Sequence, residues 1–249
     1  TSSGNGIETY SANNAWNYAS ATDITSTSNL VWPSSTQTAV QAHYGAERTH
    51  SYFLTKHARN SFDNLGSIIK SYVNYGVNYV NAFWDGTRMT YGDGDGVNYG
   101  PLVSLDIVGH EIAHGVTTYS AGLFYRRESG ALNESFSDIF GEAVENYGKG
   151  TNNWQMGTEI GIGISGAIRS MNNPNLFNDP DTYGGDFWRD VNCTTPTQSG
   201  NDYCGVHHNS GVQNKWFYIL TVGESGTNDI GNAYSVTGIG MEKAGAIAY

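Results

Sequence analysis

The stretch GHEIAHGVTTY, residues 109–119, carries the strongest indication of fold and chemistry in this chain. It contains His-Glu-x-x-His inside an apolar run that is compatible with a helix. In a helix His110 and His114 lie one turn apart on one face, so both imidazoles can reach a single metal ion. Glu111 points about 100° around the helix and can contact a water molecule on that ion. The spacing predicts a zinc hydrolase, and the alternative is a helix with two incidental histidines.

The helix around this motif is predicted to begin near Leu105 or Asp106 and to run to about Tyr119, before Gly122. Asp106 would lie favourably at the positive end of the helix dipole. Apolar residues surround the His/Glu face on the remaining sides: Ile107, Val108, Ile112, Ala113 and Val116. We therefore expect a helix that is buried nearly all round, lying between two lobes.

A second helix is predicted from about Gly130 to Tyr147. Its acidic residues are spaced four, four and three apart and form one stripe: Glu134, Asp138, Glu142 and Glu145. A solvated acidic face is the usual interpretation of such a stripe. Here the two histidines leave a zinc site one protein ligand short of the three that a catalytic site uses, so a carboxylate from this stripe could complete it.

The first third of the chain is predicted to be rich in β-structure. Residues 1–36 favour strands and turns, with short apolar pieces at Ile7–Tyr10 and Leu30–Trp32, and an amphipathic helix is expected over Gln37–Asn60. Alternating runs with tight turns predict three further strands: Ile69–Tyr72, Val77–Val80 and Ala82–Trp84. A free sheet edge beside the central helix could hold an extended peptide through main-chain hydrogen bonds.

Composition limits the classes of partner that the chain is expected to bind and bears on the compartment in which it acts. The formal net charge is −11, which disfavours nucleic acid and anionic membranes as partners and supplies carboxylates for hard cations. No run approaches the roughly 20 apolar residues that span a bilayer, so no membrane span is expected. Cys193 and Cys204 lie in a polar loop where a disulfide is feasible and favoured, although two free thiols remain an alternative.

The motif that completes the metal site resembles the thermolysin family of zinc metalloendopeptidases. In that family the third ligand is a Glu in a motif such as Asn133-Glu134-x-x-x-Asp138, and Glu134 follows His114 by twenty residues. The competing metzincin pattern needs Gly and His where this chain has Thr117 and Ser120. The resemblance continues through residues 81–84, 91–96, 167–171 and 202–211, and covers the chain from about residue 41 onward. The chain begins beyond the family's first strands and stops where the family continues into further helices, so an incomplete C-terminal lobe is expected, either because the sequence is a processed or partly recorded form or because it is a short variant.

The resemblance implies roles for individual residues. The zinc ligands would be His110, His114 and Glu134, with Glu111 as general base towards a zinc-activated water. Further roles are implied for residues that surround them: Asp138 orients His110, Tyr125 and His207 hydrogen-bond the oxyanion, Asp202 orients His207, and Asn81, Ala82 and Arg169 bind the substrate main chain.

Calcium and a specificity pocket are also implied by the resemblance. One calcium ion is expected between the two helices, held by Asp106, Glu142, Glu145, Asn153 and a main-chain oxygen near Gln155, a ligand set that suits Ca²⁺. The pocket for the residue after the cleaved bond would be lined by Tyr99, Leu102, Ile107 and Ile168. Such an apolar pocket would prefer a large hydrophobic side chain.

Taken together, these observations predict an α+β protein of two lobes. A β-rich N-terminal lobe (1–104) and a mainly helical C-terminal lobe (122–249) flank the central zinc-binding helix (105–121), which forms the cleft floor. The predicted function is that of a secreted, extracellular zinc endopeptidase that cuts proteins or peptides, contains calcium and acts as a monomer. The disulfide, the acidity and the calcium suit that setting.

Two other functional classes compete with this prediction. One is a catalytically inactive zinc-containing protein that binds peptide or matrix through the same cleft, and Glu111 discriminates against it because a binder would tolerate loss of that residue. A zinc exopeptidase would need an acidic cluster to hold a free amino terminus, and the sequence contains no motif for one.

Overall fold

The N-terminal part of the computed structural model is built on a mixed five-stranded sheet. The structure describes residues 6–24 and 36–249. The sheet order is β2-β1-β3-β5-β4, in which β1, β3 and β5 run parallel and β2 and β4 are antiparallel edge strands. The elements are β1 Ile7–Ser11, β2 Thr22–Asp23, α1 Gln37–His57, β3 Ile69–Val73, β4 Ala82–Trp84 and β5 Met89–Tyr91. The predictions of α1 and of strands at β1, β3 and β4 are confirmed, whereas Leu30–Trp32 lies outside the described residues.

One face of this sheet is covered by helices. In β3 the alternate residues Ile69, Ser71 and Val73 are buried, as a period of two requires for a half-buried strand. The helix α1 contributes small and aromatic residues to the same core, among them Ala42, Ala46 and Phe53. The opposite face of the sheet is left to solvent and to aromatic side chains.

The central helix α2 (Leu105–Thr118) is buried on almost every side, as predicted. All of its residues are buried except His114 and Thr118, which border the cleft. It packs against α3 (Arg127–Lys149), and glycines make the contact close: a Cβ at Gly109 would lie 3.1 Å from the Gly141 Cα. This close approach brings the histidine face of α2 against the carboxylate stripe of α3.

The C-terminal part is mainly helical and has its own small core. Its elements are β6 Gln155–Met156, β7 Arg169–Ser170, α4 Gln198–Val222, β8 Gly223–Thr227, β9 Ala233–Thr237 and α5 Met241–Ala248. Residues 201–205 of α4 have non-helical backbone angles. The α+β, two-lobed fold is confirmed, and the β8–β9 hairpin is an addition that the sequence analysis did not predict. None of the described helices is long and apolar enough to cross a membrane.

The predicted strand at Val77–Val80 is wrong. This segment has no strand partner and consists of bends and irregular backbone. Asn74, Gly76 and Asn78 have positive φ angles of 52°, 70° and 54°, which turn the chain repeatedly before β4 begins. Left-handed backbone conformations of this kind interrupt a strand whatever the hydrophobicity of the residues between them.

Candidate active site

Three ligand atoms converge where α2 faces α3. The Nε2 atoms of His110 and His114 are 3.0 Å apart. The Glu134 Oε2 lies 3.5 Å from the His110 Nε2, and the Glu134 Oε1 lies 3.3 Å from the His114 Nε2. Ligands bound tetrahedrally to zinc at about 2 Å lie about 3.3 Å from one another. The separations in this group therefore match a three-ligand zinc site, and this group of residues could hold a metal ion.

The far side of each imidazole is held by an acceptor on α3. The His110 Nδ1 lies 2.9 Å from the Asp138 Oδ1, and the His114 Nδ1 lies 2.7 Å from the Asn133 Oδ1. When each Nδ1 carries the proton and donates, the Nε2 lone pair of each neutral ring is free for a metal. The role of Asp138 was expected from the resemblance. That of Asn133 was missed, although its place one residue before Glu134 could have indicated it.

Removing the acceptor for His114 tests this orientation. We expect Asn133→Ala to weaken zinc binding by about 10- to 100-fold, the usual effect of losing an outer partner of a ligating imidazole. The measurement is competition with a chromogenic chelator. Asn133→Asp keeps an acceptor oxygen and serves as the matched control, for which we expect a much smaller loss. Equal affinities for the wild type and Asn133→Ala would show that Asn133 does not orient the ring.

The charge distribution favours a cation at this position. Glu134 is 1% exposed, and its Oε2 has no hydrogen-bond partner among the described residues. Burial opposes its ionisation, but the surrounding His207, His114 and His110 hold its pKa well below the usual range. Burial would by itself lower the pKa of His114, yet the Glu134 carboxylate outweighs it and raises that pKa to about 9. A buried carboxylate with an unused oxygen beside the Nε2 atoms of two imidazoles fits a divalent metal.

Glu111, the second acidic residue of α2, lines the same cavity as the two histidines. Glu111 is 5% exposed, and its Oε2 has no hydrogen-bond partner within residues 6–24 and 36–249. Burial raises its pKa, while the two neighbouring histidines act in the opposite direction. It lines a cavity of about 700 Å³ together with His110, His114 and Glu134. A buried carboxylate in that place is free to accept a proton.

Two further groups that the resemblance singled out lie against the predicted metal ligands. The Tyr125 hydroxyl donates to the Glu134 Oε1 and lies 3.1 Å from the His207 Nε2. The His207 Nδ1 lies 2.5 Å from the Asp202 Oδ1, and the His207 N–H donates to the Asp202 Oδ2. Burial lowers the pKa of His207, but Glu134 and Asp202 outweigh it, so this pKa is raised. The irregular backbone at 202–205 lets Asp202 reach back to His207 in this way.

Arg169 lies on β7 and pairs with Asp138. Its Nε and Nη2 donate to both Asp138 oxygens at 2.7 and 2.6 Å, and its Nη2 lies 3.8 Å from the Glu134 Oε2. The Asn214 Nδ2 also donates to the Asp138 Oδ2, a contact not indicated by the sequence analysis. Burial opposes ionisation of Asp138, but Arg169 and His110 keep its pKa below the usual range. The guanidinium also lines the cavity, and its expected contact with substrate main chain stays a prediction.

The cavity also gathers most of the residues assigned to substrate binding. Asn81 and Ala82 lie at the start of the edge strand β4, and Leu102, Ile107 and Ile168 contribute apolar surface. Tyr99 is not among the lining residues and pairs instead with Gly161 through a main-chain bridge. The structure therefore brings together every predicted substrate-binding residue except Tyr99.

A second acidic cluster lies at the opposite end of the contact between the two helices. Asp106, Glu142 and Glu145 are all buried, and the Glu142 Oε1 and Glu145 Oε2 lack hydrogen-bond partners in the described part of the chain. Burial raises the pKa of Glu142 to about 8. Unpartnered buried carboxylate oxygens fit a calcium ion. Lys149 donates to the Glu145 Oε1, a contact that the sequence analysis did not anticipate.

The other two predicted calcium ligands lie in the loop after α3. The Asn153 Oδ1 accepts a hydrogen bond from the Gln155 N–H at 2.9 Å, and the Asn153 Nδ2 donates to the Thr158 hydroxyl. Their contact with an ion stays a prediction.

Cys193 and Cys204 form a disulfide, which decides between the two alternatives left open by the sequence.

Comparison with known proteins identifies a family model for each part of the chain and relatives of similar sequence. Residues 1–118 match the family model described as thermolysin metallopeptidase, catalytic domain, and residues 121–249 match thermolysin metallopeptidase, alpha-helical domain. Bacillolysin from Brevibacillus brevis is 43% identical over 252 residues, which cover 100% of this chain and 43% of that protein. Thermolysin from Alicyclobacillus acidocaldarius subsp. acidocaldarius is 45% identical over 214 residues, or 85% of this chain and 36% of that protein. This chain thus spans less than half the length of these two relatives.

A solved structure shows the same relationship. The precursor of protealysin, a metalloproteinase from Serratia proteamaculans, superposes with a TM-score of 0.70 at 32% sequence identity. The match covers 86% of this chain and 67% of that chain. At that coverage the likeness extends over both lobes.

Proposed function

This chain belongs to the thermolysin metallopeptidase family, and from that premise we propose that it is a secreted zinc-dependent endopeptidase that hydrolyses internal peptide bonds. Zinc and calcium are the cofactors of this family. The observation that carries the proposal is the group formed by His110, His114 and Glu134, with the carboxylate of Glu111 beside it in the same cavity.

Each polar group around the site has a chemical task in this proposal. His110, His114 and Glu134 would hold zinc, which would supply Lewis acidity towards a peptide carbonyl and a water molecule. Glu111 accepts the proton of the attacking water and can pass it to the departing amine. His207 and Tyr125 donate hydrogen bonds to the carbonyl oxygen as it gains negative charge. Asp202 favours the protonated form of His207, which suits it to that donation.

The specificity that we propose rests on the apolar part of the cavity. Leu102, Ile107 and Ile168 offer a surface for the side chain that follows the cleaved bond, and large hydrophobic residues would be preferred there. Asn81, Ala82 and Arg169 would bind the main chain of the substrate. Because β4 is an edge strand, a peptide can add to it in an extended conformation.

The remaining parts of the proposal concern the setting. Secretion is supported by the disulfide, which persists in an oxidising compartment. We assign one calcium ion to the cluster of Asp106, Glu142 and Glu145, with Asn153 and Gln155 completing it, and we propose that the protein acts as a monomer. The division into lobes at 1–104 and 122–249 around the central helix is part of the same proposal.

A single experiment tests the proposed activity. The purified chain is analysed for metal content and assayed on a casein-like substrate, before and after chelation and after zinc and calcium are restored. We expect about one zinc per chain, loss of cleavage on chelation, and recovery when zinc and calcium are returned. Mass spectrometry of the products should place large hydrophobic residues after the cleaved bonds. Cleavage that survives complete removal of zinc would overturn the proposal.

A further inference from the structure

One turn of the backbone supports both of the hydrogen-bond donors that the proposed function assigns to the carbonyl oxygen. Residues 202–205, which we call the left-handed turn, have φ angles of 52°, 50°, 70° and 77°. The Asp202 carboxylate on this turn accepts a hydrogen bond from the main-chain N–H of His207 and lies 2.5 Å from its Nδ1. The next residue, Tyr203, places its ring edge-on to that of Tyr125, with centroids 5.6 Å apart.

The left-handed turn needs support from outside itself. Left-handed backbone angles are unfavourable for residues other than glycine, and three of the four residues here are not glycine. Hydrogen bonds supply part of the support: the Tyr203 N–H donates to the Thr197 carbonyl oxygen at 3.0 Å, and the Cys204 N–H donates to the Asn201 Oδ1 at 3.2 Å. Because these partners all lie within residues 197–204, they fix the shape of the segment but not its place in the cleft.

The Cys193–Cys204 disulfide links the left-handed turn to the segment that carries Tyr125. Cys204 is the third residue of the turn, is 2% exposed and is bonded to Cys193. The Cys193 carbonyl oxygen accepts a hydrogen bond from the Arg127 Nη2 at 3.1 Å, and Arg127 follows Tyr125 by two residues. The contacts therefore run from Tyr125 through Arg127 and the disulfide to the turn, and from the turn to His207. The two ends of this path meet in the active site, where the Tyr125 hydroxyl lies 3.1 Å from the His207 Nε2.

We propose that the Cys193–Cys204 disulfide is a positioning element of the active site, which sets the Tyr125 hydroxyl and the His207 imidazole in place relative to one another. The inference rests on the proposed endopeptidase function, because both groups are taken to act on the carbonyl oxygen of a peptide bond. The predicted zinc ligands and the residues assigned to the substrate main chain are not part of this path. Loss of the disulfide should therefore reduce turnover while zinc binding and substrate binding persist.

A disulfide-free variant tests the inference. Cys193→Ser combined with Cys204→Ser removes the link, and it is compared with the wild type below the unfolding midpoint of the variant. We expect kcat to fall by about tenfold and KM to change by less than about twofold, because a misplaced donor affects the transition state more than substrate binding. Zinc content should equal that of the wild type. Reduction of the wild type with a phosphine should lower kcat to the same level, and reoxidation should restore it.

A double-mutant cycle separates positioning from a contribution to stability alone. Asp202→Ala removes the carboxylate that the left-handed turn holds against His207. In that background, loss of the disulfide should lower kcat by no more than about twofold, against about tenfold in the wild type. A disulfide that only stabilises the fold would give the same fold-loss in both backgrounds, and that result would overturn the inference. An unchanged kcat in the folded disulfide-free variant would overturn it as well.

A second pair of variants leaves the sulfur atoms untouched and decides the question should the serine variant fail to fold. Arg127→Met removes the hydrogen bond to the Cys193 carbonyl oxygen and should lower kcat without changing zinc content. Arg126→Met is the matched control, because the Arg126 guanidinium lies over the Phe124 ring instead, 5.8 Å from its centroid. This control should behave as the wild type does, and equal kcat values for the two variants would contradict the inference.

Hydrogen exchange gives a readout that does not depend on turnover. The His207 N–H donates to the Asp202 Oδ2 at 2.8 Å, so exchange of this amide reports whether the left-handed turn is in place. With zinc added to both proteins, we expect exchange to be about tenfold faster in the disulfide-free variant than in the wild type. If the wild type cleaves no peptide but this difference is present, the proposed activity is wrong and the positioning of His207 stands. Equal exchange in the two proteins would refute the positioning role.

Discussion

Replacing Glu111 with Gln is expected to lower kcat/KM for peptide hydrolysis by about 10³-fold, within the range that a positioned general base contributes. The amide has almost the same shape as the carboxylate but cannot accept the proton of the attacking water. Glu111 is 5% exposed and its Oε2 makes no hydrogen bond in the described part of the chain, so little packing changes when it is replaced. Steady-state assays on a quenched peptide, with metal analysis on the same samples, measure both quantities.

The metal content of this variant is as informative as its rate. His110, His114 and Glu134 remain intact in Glu111→Gln, so we expect the same zinc stoichiometry as in the wild type. Glu47→Gln, on the exposed surface of α1, is the matched control for the same chemical change and should leave the rate unaffected. A Glu111→Gln protein that retains zinc and cuts at the wild-type rate would exclude Glu111 as the base.

Replacing Glu134 with Gln is expected to weaken zinc binding on the order of 10³-fold, because structural zinc sites bind with roughly 10–16 kcal/mol shared among their ligands. The substitution removes the one anionic ligand and keeps two imidazoles. Its effect should therefore exceed the loss expected for Asn133→Ala, which removes only a partner of a ligand. Competition with a chelator of known affinity measures the change, and activity at limiting zinc should fall with it.

Thermal unfolding distinguishes the loss of a zinc ligand from the loss of the folded structure. Glu134 is buried among His110, His114 and His207, so the variant without metal is compared with the wild-type protein without metal by thermal unfolding. We expect both to retain the cooperative transition of a folded chain, with zinc raising the midpoint strongly only for the wild type. Wild-type zinc affinity in Glu134→Gln would remove Glu134 from the ligand set.

Most of the proposed metal site could be predicted from the sequence, because each of the two helices that carry it can be recognised from the spacing of its own residues. The spacing of His110 and His114 places both rings on one face of α2, and the spacing of Glu134 and Asp138 does the same on α3. Helical periodicity is a local property, so it needs no knowledge of the fold. That the two faces meet was supplied by the resemblance, and their glycine-mediated approach at Gly109 and Gly141 gives the physical reason.

Local patterns failed where the backbone leaves a regular conformation. Val77–Val80 has the composition of a strand, but the positive φ angles at Asn74, Gly76 and Asn78 break it into turns. The hairpin of β8 and β9 is rich in Gly, Ser and Thr, and its strands are largely exposed, so hydrophobic periodicity did not reveal it. The same limitation applies to the left-handed residues 202–205 before His207.

The sequence by itself determined the helical spacing of the predicted metal ligands, the position of Glu111 beside them and the presence of both helices and strands. Only the tertiary structure decided that the Asn133 Oδ1 lies against the His114 Nδ1, that Arg169 pairs with Asp138 and that Trp16 lies against Tyr75 at the rim of the cavity. The physical reason is the range of the interactions. Spacing along a helix is fixed by its own hydrogen bonds, whereas Trp16 and Tyr75 meet only because parallel strands β1 and β3 end side by side.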